Sequence, residues 1–367
     1  MINVGIIGAG NCASSLYQGL FYYLNKHSDG LLRDNIGGYE IKDINVSCCF
    51  DIDSRKVGKC LWDGLKSKPN CTPIFIDDVP SGPIIEMGHV LDGVSKMMEE
   101  YSDDESFIVS DNSPCDVVKI LRETKTDILI NYLPVGSQKA TEYYAQCCLD
   151  AGVPFLNCIP IFIASNKEWE QKFIDNNLPL IGDDMKSQFG ASILSQMLQE
   201  LAFERGIKVN AHIQRNVGGN TDFLNMMDKE RIKTKKISKE NVIKSQHTIR
   251  NLDTDSTFIH AGPSEYISYH RDNKIANLTL EMEGFLGAPI TFEGRLSVID
   301  SPNSAGVVID AIRYLKVAHE LGLKGSLRGP SAFTQKTPPQ QMTMRDAVEE
   351  CNQLSKRKIN TEINKLV

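Results

Sequence analysis

The sequence predicts an α/β protein: a doubly wound parallel sheet, with a second α+β unit inserted before its last helices. Three observations carry this. Short apolar segments alternate with helical segments of about a dozen residues through the first half, as in a parallel sheet with crossover helices. A Gly8-x-Gly10-x-x-Ala13 turn joins the first apolar segment to the first helical one. Beyond Gln188 the pattern changes to longer segments of alternating polarity, which suits an open sheet with one covered face.

The elements follow in order. INVGII (2–7) is apolar and β-branched, as a strand buried on both faces is. A helical pattern runs from Ser14 to about Leu24, and the polar, Gly-containing residues 27–43 read as an insertion. INVSCCF (44–50) is the second strand and ends in Asp51-Ile52-Asp53. Between 60 and 110, IFI (74–76) reads as a strand and GHVLDGVSKMMEEY (88–101) as a helix. Cys115–Thr124 reads as a helix with Pro114 near its first turn. DILINYL (127–133) is a strand, followed by a helix over 137–150 that Gly152 closes as a C-terminal cap. PFLNCIP (154–160) and LPLIGDD (178–184) are further strands, the second leading into Met185-Lys186-Ser187-Gln188. A helix over 191–205 precedes KVNAHIQRNV (208–217), which alternates like a half-buried antiparallel strand. IANLTLEMEGF (275–285) and ITFEGRLSVID (290–300) form a hairpin around LGAP, and 303–321 is helical again. The expected division is 1–190 plus 301–367 for one domain and 191–300 for the other.

Composition narrows the function classes. At ~150 residues per domain, 367 residues make about two domains. A 41% hydrophobic content can fill their cores, so disorder is not the dominant state. A net charge of −7 opposes a general nucleic-acid binder, which needs a basic surface. No segment approaches the ~18 apolar residues of a membrane span, and Met1-Ile2-Asn3 lacks the basic start of a signal peptide. The ten cysteines include the pairs Cys48-Cys49 and Cys147-Cys148 but no CxxC, and several sit in apolar runs. They read as reduced thiols acting as small hydrophobes in a cytoplasmic protein. The histidines show no ligand spacing, so no dedicated metal cage is expected.

The glycine turn carries the first functional signal. Gly8 permits the tight bend, Gly10 lets a pyrophosphate approach the backbone, and Ala13 is small enough for helix–strand packing. The helix N-terminus at Asn11 and Cys12 then offers unpaired N–H groups to the anion. An ordinary βα turn can show the same pattern, but the strand–turn–helix context makes this a Rossmann-type dinucleotide site. Asp51 ends the second strand, where an acid receives the ribose hydroxyls, and Asp53 would repel a 2′-phosphate; both favour NAD over NADP. Asp51 lies well beyond the usual ~20 residues on, which the insertion at 27–43 accounts for, and it could equally be a helix cap. Arg55 and Lys56 leave some room for NADP.

The strings GAGNCASSL, NYLPVGS, VPFLNCIPIFIAS, GDDMKSQFGA, NVGGNTDFLNM, KKISK, GPSEY, DSPNSAGVVIDAIR and QKTPPQQ occur in that order. With them, roughly residues 2–345 resemble myo-inositol-1-phosphate synthase in its compact actinobacterial and archaeal form. The resemblance implies an intramolecular lyase/isomerase of inositol and phospholipid biosynthesis, converting glucose 6-phosphate to inositol 1-phosphate (the 3-phosphate in the other numbering). It implies oxidation of C5 by NAD, loss of a C6 proton, attack of C6 on the C1 aldehyde and re-reduction, with NAD recycled. A related cyclase acting on another sugar phosphate, such as fructose 6-phosphate, is the alternative. A non-catalytic NAD-binding scaffold and a net dehydrogenase are the remaining readings.

The resemblance also assigns residues. Lys186 and Lys239 match lysines that bind substrate or assist proton transfer, while Lys274 and Lys336 match positions that hold the phosphate or the C1 and C5 oxygens. Fixed cations suit a reaction that develops negative charge on oxygen at each step. Asn220 and Asp222 match residues lining the active site, and Asp272 matches an acid near nicotinamide and lysine. Asn112, Tyr132, Leu133, Pro134, Asn157, Asp300 and Ser301 match cofactor-binding loops. Taken without the motifs, a lysine is usually a solvated surface charge, as Lys235 and Lys236 are read. Likewise Asp222 could be a turn residue, and Asp300 and Ser301 a strand end with its helix cap. Eukaryotic members carry a second lysine after DDxKS, where this chain has Ser187-Gln188-Phe189-Gly190-Ala191. The resemblance further implies a divalent or monovalent cation in some members and a homotetramer. An open sheet over 207–300 would pair across subunits to cover its bare face. The basic tail SKRKINTEINK reads as a solvated helix.

Overall fold

The computed structural model describes residues 1–24, 28–228, 231–249 and 257–358. Residue 27 of the expected insertion and the tail over 359–367 lie outside the described residues, as do the side chains of Lys235 and Lys236.

The first part of the chain alternates strands and helices. It comprises β1 (Ile2–Ile7), α1 (Asn11–Tyr22), β2 (Ile44–Asp51), α2 (Leu61–Leu65), β3 (Ile85–Met87), α3 (Val117–Glu123), β4 (Ile128–Asn131), α4 (Gln138–Ala151), β5 (Phe155–Asn157), α5 (Lys167–Asp175) and β6 (Pro179–Ile181). The second part comprises α6 (Ala191–Glu204), β7 (Lys208–Gly218), α7 (Thr221–Asn225), α8 (Ile232–Thr248), β8 (Phe258–Tyr266), β9 (Asn273–Glu283) and β10 (Pro289–Ile299). The chain then returns through α9 (Asp300–Glu320), β11 (Gly325–Ser326), α10 (Arg328–Thr334) and α11 (Met344–Ser355).

Among the described residues, the first sheet is parallel with the order β11-β6-β5-β4-β1-β2-β3. Its direction of winding reverses between β1 and β4, and ligands of such sheets bind at the carboxyl ends of the strands at that reversal. Ile2, Val4 and Ile6 of β1 are fully buried because helices cover both faces. On one face α1 packs against α9, whose 21 residues include Val308, Ile312 and Leu315 in the core. On the other face Leu121, Ala145, Cys148 and Phe173 of α3, α4 and α5 form a second core. All ten cysteines are free thiols. No helix among the described residues is long and apolar enough to cross a membrane.

The second sheet has the order β10-β9-β7-β8. The expected hairpin is present, with Pro289 opposite Glu283. β7 is antiparallel to β9 but parallel to β8, so the sheet is mixed and largely antiparallel, with two of its three pairings antiparallel.

Three local expectations are corrected. Residues 74–76 form no strand: the segment lies along α1, with Phe75 N donating to Gln18 Oε1 at 2.7 Å. Residues 88–101 form no α-helix, only a 3₁₀ turn over Lys96–Glu100. Leu91 there has φ 43, which interrupts any helix. The segment serves α4 instead: Asp92 accepts from Lys139 N at 2.8 Å and Ala140 N at 2.9 Å, capping a helix that its own Ser137 side chain leaves uncapped. Finally, α3 begins at Val117 because Asp116, not Pro114, starts it, accepting from Lys119 N at 3.0 Å.

A buried ion triad ties the insertion to α9. Asp310 pairs with Arg313 at 2.6 Å and Arg33 at 3.3 Å, and Arg313 also donates to the carbonyls of Asp34 and Arg33 at 2.9 and 2.8 Å. Asp310→Ala would strand two guanidinium groups around a buried gap. It should cost about 3–5 kcal/mol, read as a lower urea midpoint at unchanged m-value.

Candidate active site

The glycine turn sits at the sheet's reversal point. Gly8 has φ +91, and a Cβ there would come within 2.8 Å of Tyr132 O, so only glycine fits between β1 and β4. Gly10 is different: a Cβ there would meet nothing within 4 Å. It opens onto a cavity, and α1 starts just beyond it with no side-chain cap. The first N–H groups of α1 therefore face the cavity unsatisfied by side chains. Tyr132 Oη, buried beside them, has no hydrogen-bond partner among the described residues. This cradle fits the pyrophosphate of a dinucleotide.

Asp51 braces the turn. Its Oδ2 accepts from Ala9 N at 2.7 Å, and its Oδ1 accepts from Ile52 N and Asp53 N at 2.7 and 2.9 Å. Asp53 is enclosed by Arg55, at 2.6 Å, and contributes no free charge. Lys56 is buried and donates to Ala9 O and Asn70 Oδ1, both at 2.9 Å. Arg55 and Lys56 are thus both committed to partners within the protein.

The cavity encloses about 1210 Å³, its open mouth included. Gly10, Asn11, Cys12, Tyr132, Leu133 and Pro134 line it together with Asn220, Asp222, Lys239, Lys274, Asp300, Ser301 and Lys336. Three lysines from α8, β9 and the segment after α10 therefore reach one space. Lys336 Nζ lies 3.0 Å from Asp184 Oδ1 and donates to Met185 O at 2.7 Å. Lys274 pairs with Asp300. Lys239 is buried, and its neighbour Ser238 donates to Asp184 Oδ2 at 2.6 Å.

Lys186 lies behind the cavity wall, 3% exposed, and donates to Ala332 O at 2.7 Å. Burial and then the charge of Lys336 pull its pKa down to about 8, with Glu200 pulling the other way. Asp272 is also buried behind the wall. It accepts from Asn220 Nδ2 at 3.1 Å and Ser301 Oγ at 2.7 Å, and burial followed by the nearby Asp300 raises its pKa. The Cys12 thiol is likewise pushed up by burial and then by Asp272, Asp300 and Asp222, so these carboxylates gather around the start of α1. Asn220 caps α7, accepting from Phe223 N at 3.2 Å. The preceding Gly219 is packed so tightly that a Cβ would lie 2.2 Å from Ile267 O.

Two expected cofactor residues are placed elsewhere. Asn157 is wholly buried and donates to Ile161 O at 2.5 Å and Asp183 Oδ1 at 2.7 Å, holding the loop after β5 rather than lining the cavity. Asn112 is exposed, with its N–H on Ser110 Oγ at 3.3 Å, and does not line the cavity either. Gly8 and Asp51 act on the turn itself. Lining residues that the sequence reading did not single out include Asp184, Gln214 and Asn216. A signal existed for the last two: β7 alternates with polar residues on its buried side. Among the described residues, no group of three or more His, Cys, Asp or Glu could hold a metal ion.

A Rossmann-type sheet opening at its glycine turn on a lysine-walled cavity defines the chain as an enzyme of the α/β class. Comparison with known proteins gives its family. The family model for myo-inositol-1-phosphate synthase matches residues 190–301. The chain is 43% identical over 345 residues to inositol-3-phosphate synthase of Mycobacterium tuberculosis, covering 93% of this chain and 92% of that protein. It is 42% identical over 348 residues to that of Corynebacterium glutamicum, with 93% and 94% covered. The crystal structure of a myo-inositol-1-phosphate synthase-related protein from Thermotoga maritima shares the fold at 23% identity, with a TM-score of 0.77 and 98% and 99% covered. The chain belongs to the inositol-3-phosphate synthase family, whose members are intramolecular isomerases.

Lys186 gives a stability test with a definite sign. Its ammonium is disfavoured in the folded state, where the pKa is about 8 against an ordinary 10.5. The native chain therefore loses stability as pH falls from 10.5 through 8, and the loss is complete below that. Lys186→Met should gain over the native chain at pH 7 relative to pH 10.5 by about 2–4 kcal/mol, at roughly 1.4 per pKa unit. Urea unfolding of both proteins at the two pH values measures it.

Proposed function

We propose that the protein converts glucose 6-phosphate to inositol phosphate with a recycled NAD. The observation that carries this is the meeting of Lys239, Lys274 and Lys336 with the Gly10–Cys12 turn in one cavity, with Lys186 directly behind. The turn and the start of α1 would hold the pyrophosphate, and Tyr132–Pro134, Asp300 and Ser301 would flank the rest of the dinucleotide. Bound NAD would supply a hydride acceptor and return the hydride at the end, leaving a net isomerisation.

The chain's own residues do the remaining work. Loss of the C6 proton and closure of the C6–C1 bond put negative charge on sugar oxygens. Ammonium groups fixed in a cavity stabilise such charge better than mobile water does. Lys336 is held in place by Asp184, and Lys274 by Asp300, so neither has to reorganise when charge develops. Burial, and then the charge of Lys336, hold the Lys186 pKa down to about 8, which suits a group that takes up and returns a proton. The unit over 191–300 supplies Lys239 and Lys274 and, we propose, the subunit contacts. β10 is an edge strand, and Ile290 and Phe292 on it, with Phe285 and Leu286 at the hairpin tip, are exposed apolar residues that a homotetramer would cover. Ten free thiols suit a reducing compartment such as the cytoplasm. No described feature favours fructose 6-phosphate, which serves as the control substrate.

Incubated with glucose 6-phosphate and NAD, with and without added divalent and monovalent cations, the protein should yield a periodate-sensitive inositol phosphate with no steady release of NADH. Steady NADH release, or product from fructose 6-phosphate alone, would overturn the reading. Lys336→Ala should lower kcat by about 10²–10³, as loss of one fixed charge-stabilising group does. A Cβ at position 10 meets nothing within 4 Å, so Gly10→Val should keep a near-native melting temperature. Its NAD affinity, measured by calorimetry, should fall at least tenfold.

A further inference from the structure

Helix α6 and strand β7 face each other through polar side chains. Ser195 and Gln199 of α6, and His212, Gln214 and Asn216 of β7, are each at most 2% exposed. Residues 212, 214 and 216 follow the strand's period of two, at positions where a core strand would carry apolar residues. Burying such groups is costly unless they are hydrogen-bonded, and these are bonded into one chain. Gln199 Nε2 meets His212 Nδ1 at 2.9 Å, and His212 Nε2 meets Ser195 Oγ at 2.9 Å. Ser195 Oγ meets Gln214 Oε1 at 2.9 Å, Gln214 Nε2 meets Asn216 Oδ1 at 3.1 Å, and Asn216 Nδ2 meets Gly262 O at 2.9 Å.

The last partner sets the direction of all the others. A backbone carbonyl can only accept, so Asn216 must offer its Nδ2 and turn Oδ1 to Gln214. Gln214 must then donate through Nε2 and keep Oε1 for Ser195. The single hydroxyl proton of Ser195 goes to that Oε1, so Ser195 must accept from His212 Nε2–H. His212 is left with a bare Nδ1 that accepts from Gln199. Burial, and then the charge of His247, pull the His212 pKa down to about 4, so the ring is neutral, as the chain requires. Gln214 and Asn216 both line the cavity, and the second amide N–H of each has no partner among the described residues.

We propose that Gln214 is a further substrate-contacting residue, donating its remaining amide N–H to an oxygen of the sugar phosphate, and that Asn216 on one side and Ser195, directed by His212, on the other are positioning residues that hold this amide the right way round. The proposal rests on the function proposed above. A free carboxamide can turn over and present its carbonyl, which would repel an oxygen gaining negative charge. The relay from Gly262 to His212 blocks that turn without placing another charge among the lysines.

The test uses the full-length enzyme at saturating NAD. Gln214→Met keeps the volume and removes the donor; it should raise KM for glucose 6-phosphate about tenfold, the worth of one hydrogen bond, with the Kd for NAD unchanged. Ser195→Ala removes one of the two hydrogen bonds that hold the Gln214 amide and should raise KM in the same direction by a smaller factor. Ser195→Thr keeps the hydroxyl and should restore the native value. In the Gln214→Met background, Ser195→Ala should add nothing, because it acts only through that amide. A native KM in Gln214→Met overturns the proposal. Additive effects of the two substitutions overturn the positioning role, since a packing contribution would persist without the amide. Should Ser195→Ala fail to fold, Gln214→Met decides by itself. If the native protein makes no inositol phosphate, the proposed function falls. Calorimetric binding of glucose 6-phosphate to the native and Gln214→Met proteins then still decides this inference, with equal affinities, or no binding to either, overturning it.

Discussion

Asp184 is the joint on which the cavity depends. Its Oδ1 faces Lys336 at 3.0 Å and its Oδ2 accepts from Ser238 at 2.6 Å, while its carbonyl accepts from Lys336 N at 2.7 Å. One carboxylate at the end of β6 thus draws together two segments that lie about 50 and 150 residues further along the chain. Without an anion at this point the lysines would repel one another and the low-dielectric cavity would favour their neutral forms. Asp300 plays the matching part for Lys274 on the other side. The cavity is therefore a balance in which each carboxylate restrains one ammonium group and leaves it able to meet a substrate anion.

The parallel sheet supplies the fixed reference for that balance. β1 is buried on both faces and Gly8 lets it bend within contact of Tyr132, which packs the start of α1 closely against the end of β4. The second unit brings Lys239 on α8 and Lys274 on β9 to this edge, where Asp272 ties Asn220 to Ser301 at the start of α9. Burial, and then the same carboxylates that hold the two parts together, push the Cys12 pKa up and favour the thiol over the thiolate.

Most of the doubly wound sheet was legible, because each of its strands is a short apolar run closed by a turn residue. The hairpin β9–β10 was legible for the same reason, from period-two alternation around LGAP. The region over 60–110 was not. Its periodicity suggested a helix over 88–101, yet the segment is organised by what it touches, namely α4 through Asp92. β3 has three residues and takes its strand form only by pairing with β2. β8 is parallel to β7, and such pairing leaves no local mark on the chain.

At the site, the chain's local chemistry settled what could be read one segment at a time: a glycine bend open to an anion, an acid at the end of β2, and lysines within specific motifs. Only the tertiary structure decided which of these share a space. It gathered Lys239, Lys274 and Lys336, set Lys186 one layer behind them, and took Asn112 and Asn157 away from the cavity. It also turned the polar side of β7 inward. The reason is the range of the forces involved. Backbone preference and hydrophobic period act over a few neighbouring residues, whereas the acidity of a lysine or the orientation of an amide depends on partners brought close only when distant segments pack.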